Sequence, residues 1–300
     1  MDERDGSTNR SRRTPAVERA AAILRLLGAH PHQEFTVSQL ASQLTISKAT
    51  AHSLVTTLND AGLVARSRRA TYRLGLALVA IGQAAALADP VVDRARREMV
   101  AVATATATTV VVSAVEHGEI LIVDTTGAPP TATPSRPGQR FPLAPPLGTV
   151  FLAWADEEQI TSWLRAGIDG GGVDIARYRG ELARIRSRGF AVGGEADATT
   201  RVSDMLVALS SEDDAGEVRD RLADTVDALR RGDHYFPDLR HDGPHAVNII
   251  AVPIFGPGGK VALALTATGF DRPLRTSEIE QLAERLRQSA ATATGRLDTT

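Results

Sequence analysis

The residues in this chain most suited to chemistry begin at Ser47-Lys48-Ala49-Thr50-Ala51-His52-Ser53, with Thr56 one turn further on. Read as a helix, Ala51, Leu54, Val55 and Leu58 follow an i, i+3, i+4, i+7 spacing and form one apolar face. The opposite face carries Ala49, His52, Ser53 and Thr56, with Lys48 and Thr50 in an exposed first turn. These side chains are short or can hydrogen-bond, as a helix in the major groove of B-DNA requires, because each base pair presents a distinct donor and acceptor pattern there. Ser47 is suited to cap the helix, and free N–H groups at a helix start favour a phosphate. Lys48 is one of two lysines, the other being Lys260. Arg66, Arg68, Arg69 and Arg73 follow in an alternating stretch and are suited to phosphate or minor-groove contact, positioning the protein more than specifying sequence. Arg10, Arg12 and Arg13 form a basic arm that could reach a neighbouring minor groove.

Other reactive patterns are weaker. The chain has no cysteine, so disulfides, thiolate metal sites and cysteine nucleophiles are excluded. His241 and His245 are four apart, but Gly243-Pro244 between them breaks any helix, and no metal is expected. Ser210, Ser211 and the many threonines lack a base partner, so no catalytic residue and no cofactor are expected. Gly256-Pro257-Gly258-Gly259 reads as a hairpin turn, since no helix follows it to hold a phosphate. Trp154 and Trp163 read as core or interface residues.

The formal net charge of −2 hides an asymmetry. Residues 10–75 hold ten Lys and Arg against three acids, whereas residues 76–300 hold 23 against 30. A basic amino-terminal quarter on an acidic body points to a polyanionic partner for that quarter alone. With 300 residues, 43% of them hydrophobic, two packed domains are affordable. No apolar run is long enough to span a membrane, and the polar start does not read as a secretory signal. A cytoplasmic protein without membrane contact is expected.

These residues need elements to position them. Residues 1–14 read as a disordered arm. Pro15 opens a helix with Val17, Ala21, Leu24 and Leu27 on one face. Val37, Leu40, Ala41 and Leu44 mark a second helix, and a short break at Thr45-Ile46 separates it from the third, which Gly62 ends. Two short amphipathic helices with a tight connection are a helix-turn-helix signature. Leu63 to Gly75 alternates about a basic turn and reads as a hairpin wing. An apolar helix over Leu76 to Leu87 and a charged one near Val91 to Ala105 make a linker at 76–107. The rest, 108–296, reads as α+β. It has a hairpin over Thr109–Val115 and Ile120–Thr125, a proline-rich loop from Gly127 to Pro146, and helices over Gly148–Ala155, Glu157–Ala166 and Ile175–Arg188. A second hairpin covers Ala246–Phe255 and Val261–Thr268, and a last helix over Thr276–Thr294 is capped by Thr276. Val218, Leu222, Val226 and Leu229 mark one helical face within 195–244.

At this point the sequence resembles the IclR family of bacterial transcriptional regulators. The resemblance rests on Ala16-Val17-Glu18-Arg19-Ala20, Leu40-Ala41-Ser42-Gln43-Leu44, Ser47-Lys48-Ala49-Thr50-Ala51-His52, Ala61-Gly62-Leu63-Val64 and Tyr72-Arg73-Leu74-Gly75. Looser matches are Gly138-Gln139-Arg140, Leu147-Gly148, Arg188-Gly189-Phe190-Ala191, Ala251-Val252-Pro253-Ile254-Phe255 and Ala264-Leu265-Thr266-Ala267-Thr268-Gly269. It implies a winged helix-turn-helix, a linker helix, a GAF-like mixed α/β effector domain, dimers or tetramers, and repression or activation of transcription modulated by a small metabolite. It also implies Leu147, Gly148, Ile249, Thr266 and Thr268 as effector-binding residues. The chain departs from the family pattern where Ala144-Pro145-Pro146 follows Pro142-Leu143, where Gly193-Gly194 stands in place of a carboxylate, where Ile249 replaces a polar residue, and in an extra stretch at 195–244. An effector more apolar than a small organic acid is therefore expected. The expected partners are double-stranded DNA, the effector and further copies of the chain; paired heads would favour a near-palindromic operator. Two rival readings are an enzyme built on the sensing domain and a winged protein-interaction module without DNA; metabolite turnover would favour the first, a salt-insensitive partner the second.

Overall fold

The computed structural model describes residues 14–127, 135–168, 174–194 and 236–295. The chain divides into two compact units, Met1–Ala84 and Ala85–Thr300.

In the first unit, α1 (Pro15–Ala29), α2 (Val37–Gln43) and α3 (Lys48–Asp60) precede a hairpin of β1 (Val64–Arg66) and β2 (Tyr72–Leu74), and α4 (Ala77–Ala88) follows. Pro15 occupies the first turn of α1, where its missing N–H costs no helical hydrogen bond. The core joins Ile23, Leu27, Phe35, Leu40, Val55, Leu58, Val64 and Tyr72. The face expected for α1 is corrected at its start: Val17 is 66% exposed, and Ile23 is fully buried. The apolar run of α1 offers two overlapping helical faces, and packing against α3 and β2 selects the one holding Ala20, Ile23, Leu24 and Leu27. Thr36 and Gln39 form a reciprocal capping box at α2: the Gln39 N–H donates to Thr36 Oγ1 at 3.3 Å, and the Thr36 N–H donates to Gln39 Oε1 at 2.8 Å. The turn into α3 places Thr45 at φ 52°, and the Ile46 N–H donates back to the Ala41 carbonyl at 3.0 Å. At Gly75, an added Cβ would lie 2.0 Å from the Gly62 carbonyl oxygen, so only glycine lets β2 leave the body at this point.

The second unit begins with the end of α4 and α5 (Pro90–Thr106). It continues through β3 (Thr109–Glu116), β4 (Glu119–Thr126), β5 (Arg140–Pro142), α6 (Thr149–Leu152), α7 (Glu157–Ile168), α8 (Ile175–Arg188) and β6 (Ala191–Gly194). After the undescribed stretch come β7 (Pro244–His245), β8 (Val247–Phe255), β9 (Val261–Thr268), β10 (Leu274–Arg275) and α9 (Thr276–Thr294). Six strands form one antiparallel sheet in the order β5-β4-β3-β9-β8-β6, while β7 and β10 pair separately. His117 and Gly118, both at positive φ, make the tight turn between β3 and β4. Strand alternation sends Val110, Val112, Ile250, Val252, Leu265 and Ala267 toward α5 and α9, where they meet Ala95, Met99, Val102, Ile279 and Leu286. The other face sends Val111, Ala251 and Ala264 toward Phe151, Trp163, Leu182 and Ile185 of α6, α7 and α8. Helices on both faces of an antiparallel sheet give the expected α+β class, and α5 is one of the layers that cover the sheet.

Two further expectations are adjusted. The proline-rich loop contains β5, whose Phe141 pairs with Ile120 at the sheet edge; sequence periodicity cannot show so short a strand. Thr276 is the first residue of α9 instead of its cap. Its hydroxyl is drawn inward, donating to the His241 carbonyl at 2.8 Å and meeting His245 Nε2 at 2.9 Å, while the Arg275 N–H donates to the Glu278 carboxylate at 2.8 Å. The basic arm at Arg10, Arg12 and Arg13 and the face of Val218, Leu222, Val226 and Leu229 lie outside the described residues. No helix among the described residues is long and apolar enough to cross a membrane.

A β-branched residue in the left-handed region is strained by ~1–2 kcal/mol. Thr45→Gly should therefore raise the stability of the amino-terminal unit by about 1 kcal/mol, read as a higher urea midpoint with an unchanged slope.

Candidate nucleic-acid interface and ligand face

α3 is anchored by Ala51, Val55 and Leu58, all buried, with Leu54 packed against the same core. That orientation leaves Lys48, Ala49, His52, Ser53 and Thr56 exposed along the opposite side. Ser47 caps the helix: its Oγ accepts from the Thr50 N–H at 3.1 Å and shares a hydrogen bond with Thr50 Oγ1 at 2.8 Å. The hydroxyls of Ser47 and Thr50 are thus committed to each other and to the helix start. Thr56 Oγ1 donates to the His52 carbonyl at 2.8 Å, which leaves its oxygen as an acceptor toward the outside. The Ser53 side chain and the His52 ring face out from the middle of the same surface.

The wing pairs Val64 with Leu74, Ala65 with Arg73 and Arg66 with Tyr72. Its turn runs from Ser67 to Thr71, with the Ser67 N–H donating to the Thr71 carbonyl at 2.8 Å and Ala70 at φ 59°. Arg66, Arg68, Arg69 and Arg73 are all exposed. Among the described residues, Lys48, Arg66, Arg68 and Arg69 make no ion pair, whereas Arg73 Nε lies 3.9 Å from Glu34 Oε1. Unneutralised cations on one exposed hairpin can displace the counterions of a polyanion. Sequence reasoning missed two residues here. Asn59 Oδ1 accepts from the Arg66 N–H at 3.2 Å and ties the end of α3 to the wing. Glu34 accepts from Thr71, a contact spanning 37 positions that no local pattern reveals. The Thr71 hydroxyl above all, with Ser67, Arg73 and Arg69 after it, holds the Glu34 carboxyl below the usual carboxylate range against an opposing effect of burial that is second only to that of Thr71. His30 is a core histidine, with Nδ1 2.8 Å from the Leu26 carbonyl and its ring edge-on to Phe35.

In the second unit, Ile249, Thr266 and Thr268 stand on one face of adjacent strands, half-buried. Ile249 pairs with Thr268 and Ala251 with Thr266, while Thr109 and Val111 of β3 pair with the same two threonines. Gly193 of β6 lies beside Ile249. The central strands β3, β8 and β9 therefore offer this face Thr109, Val111, Ser113, Ile249, Ala251, Ala264, Thr266 and Thr268: hydroxyls and aliphatic groups, with no ionisable side chain among them. Sequence reasoning missed Thr109, Val111, Ser113, Ala251 and Ala264; their positions beside Ile249, Thr266 and Thr268 follow only from strand register. Leu147 and Gly148 precede α6, which packs on the same face through Val150, Phe151 and Leu152. The Leu147 carbonyl accepts from Trp163 Nε1 at 2.8 Å. Gly148 sits at φ 86°, where an added Cβ would lie 2.4 Å from Leu143 Cδ1. A separate cleft of about 360 Å³ lies between α6, α7 and α8, lined by Ala153, Ile160, Arg179, Leu182, Ala183, Arg186 and Ser187, and contains none of these five residues. No cluster of three or more metal-ligating side chains occurs among the described residues.

Residues 16–68 match the IclR helix-turn-helix domain. The "Probable HTH-type transcriptional regulator ArcR" of Halobacterium salinarum is 26% identical over 207 residues, covering 65% of this chain and 77% of that protein. Among solved structures, an IclR transcriptional regulator from Alicyclobacillus acidocaldarius is 23% identical and superimposes with a TM-score of 0.70 over 94% of this chain and 98% of its own. An IclR homolog from Microbacterium hydrocarbonoxydans, complexed with 4-hydroxybenzoate, is 20% identical with a TM-score of 0.62, covering 95% and 100% of the two chains. The chain thus carries an IclR-type helix-turn-helix and shares the fold of these regulators along most of its length.

Removing the α3 cap should show in stability. Ser47→Ala is expected to destabilise the amino-terminal unit by ~1 kcal/mol, measured by urea unfolding followed by circular dichroism.

Proposed function

We propose that this chain, whose amino-terminal domain is of the IclR helix-turn-helix family, is a ligand-responsive transcriptional regulator that binds duplex DNA. The observation that carries the reading is α3: its apolar face is consumed by its own core, and its exposed side offers Lys48, His52, Ser53 and Thr56, with the exposed arginines of the wing in the same unit. His52, Ser53 and Thr56 read base edges; Ser47 and Thr50 fix the helix start and place its N–H groups toward a phosphate. Lys48, Arg66, Arg68, Arg69 and Arg73 contact the backbone.

The chain works as a homo-oligomer on a near-palindromic operator. Support for self-association comes from α4, twelve residues without a charged side chain and with none buried, where Val79, Ile81 and Leu87 are more than half exposed, as is Leu76 just before it. Two copies joined there would present two reading helices related by two-fold symmetry.

The effector binds the sheet face of Ile249, Thr266 and Thr268, below Leu147 and Gly148. A face of hydroxyls and aliphatic groups favours a ligand that is largely apolar, with at most a few hydrogen-bonding groups, because an ionised ligand would lose hydration there without gaining a counter-charge from the central strands. The opposite face of the same strands packs on α5 through Val110, Val112, Leu265 and Ala267. A ligand that favours one arrangement of β3 and β9 therefore also favours one placement of α5, the helix that continues from α4, and shifts the population of DNA-competent oligomers.

Lys48→Ala should weaken binding to all duplex sequences about equally and lower the salt slope by about one, measured by gel shift across a salt series; an unchanged slope would remove Lys48 from the docking surface. Calorimetry of the full chain should find short-chain dicarboxylates bound weakly or not at all. Tight binding of one would contradict the apolar ligand face.

A further inference from the structure

We infer that Glu34 is the positioning residue of the wing, fixing the Ser67–Thr71 turn and with it the disposition of Arg68 and Arg69. This rests on the reading of the amino-terminal unit as a DNA-binding module.

Four groups form a hydrogen-bond chain with one direction. The Arg69 N–H donates to Ser67 Oγ at 3.2 Å, Ser67 Oγ and Thr71 Oγ1 are 2.6 Å apart, and Thr71 Oγ1 donates to Glu34 Oε2. An ionised carboxylate can only accept. Thr71 must therefore give its proton to Glu34, so the Ser67 hydroxyl must give its own to Thr71, and the Ser67 oxygen is left to accept from the Arg69 backbone. The chain begins on the body of the unit and ends in the backbone of an arginine at the wing tip. The adjacent residue closes the same junction: the Phe35 N–H donates to the Tyr72 carbonyl at 3.0 Å, and the Tyr72 N–H to the Phe35 carbonyl at 2.8 Å. Without Glu34 the turn keeps its two backbone hydrogen bonds but loses the acceptor that orients both hydroxyls.

The placement also carries a cost that argues against chance. Glu34 is one of three acids among residues 10–75, and it stands beside Arg73 on the arginine-bearing hairpin. A carboxylate there repels phosphate and partly neutralises a cation, weakening the nonspecific attraction that the wing supplies. The same residue thus gives order to the wing and subtracts charge from it, and the two effects separate by substitution. Glu34→Gln keeps an acceptor oxygen and removes the charge. Glu34→Ala removes both, and Thr71→Val breaks the chain while keeping the carboxylate.

The test reads two quantities on the full chain: amide exchange at Ser67 and Arg69 in the free protein, and affinity for a mixed-sequence duplex across a salt series. In Glu34→Ala and Thr71→Val, exchange at Arg69 should rise about tenfold, whereas Glu34→Gln should stay near the unsubstituted chain. Glu34→Gln should bind duplex several-fold more tightly at low salt, with the gain fading as salt rises, and Thr71→Val should bind more weakly than the unsubstituted chain. Unchanged exchange at Arg69 in both Glu34→Ala and Thr71→Val would overturn the inference, as would equal DNA affinity of Glu34→Gln and Glu34→Ala. If the unsubstituted chain itself retained no duplex, the DNA-binding reading would fail, and the exchange data would still judge the hydrogen-bond chain by itself.

Discussion

The burial of Ala51, Val55 and Leu58 against Ile23, Leu27 and Leu40 is the contact on which the amino-terminal unit turns. A helix of 13 residues has about three and a half turns, and its rotation about its own axis is set by whichever stripe enters the core. Once those residues are inside, Lys48, His52, Ser53 and Thr56 have no alternative but the outside. The Ser47 cap starts the helix at one defined residue, and Gly62 at φ 70° turns the chain sharply into the wing. Cap, core stripe and glycine together determine both where the helix begins and which way it faces.

The wing illustrates how little regular structure is needed to hold charge in place. Its strands have three residues each and could not persist alone. They are held by Val64 and Tyr72 in the core, by the Asn59 acceptor at Arg66, and by the backbone bridge from Phe35 to Tyr72. The guanidinium groups of Arg66, Arg68 and Arg69 take no part in this framework, which leaves them available to solvent or to a polyanion, while that of Arg73 lies 3.9 Å from Glu34.

The second unit uses one sheet for two purposes. One face is filled by α5 and α9 and is aliphatic throughout its centre. The other is shared between the packing of α6, α7 and α8 and the half-buried group around Ile249, Thr266 and Thr268. Because alternate residues of one strand serve the two faces, a displacement of β3 or β9 is felt on both sides in a close-packed interior. Ion pairs elsewhere brace the helical layer. Glu181, buried on α8, accepts from Arg184 at 2.7 Å and from Arg188 at 2.8 Å, and Arg188 in turn donates to the Phe190 carbonyl at 2.7 Å.

Local patterns carried much of this architecture. The i, i+3, i+4, i+7 spacing in α2 and α3, the Ser47 cap, the Gly62 stop, the basic hairpin and both long hairpins of the sheet are short-range signals, because each depends on residues within one or two turns of one another. What depended on distant partners was not legible. The apolar run of α1 admits two faces, and only its neighbours exclude Val17 in favour of Ile23. Thr276 has the chemistry of a cap, yet His241 and His245 draw its hydroxyl inward. Thr109 joins Thr268 only through strand register, and Glu34 reaches Thr71 only because the backbone bridge between Phe35 and Tyr72 lays the segment before α2 against β2. The sequence by itself thus determined the elements and the polar side of α3 that its buried stripe leaves exposed, since helix and strand periodicities are local. The tertiary structure alone decided where the Thr276 hydroxyl goes, which strand brings Thr109 beside Thr268 and which acid meets Thr71, since those contacts join residues tens to more than a hundred positions apart.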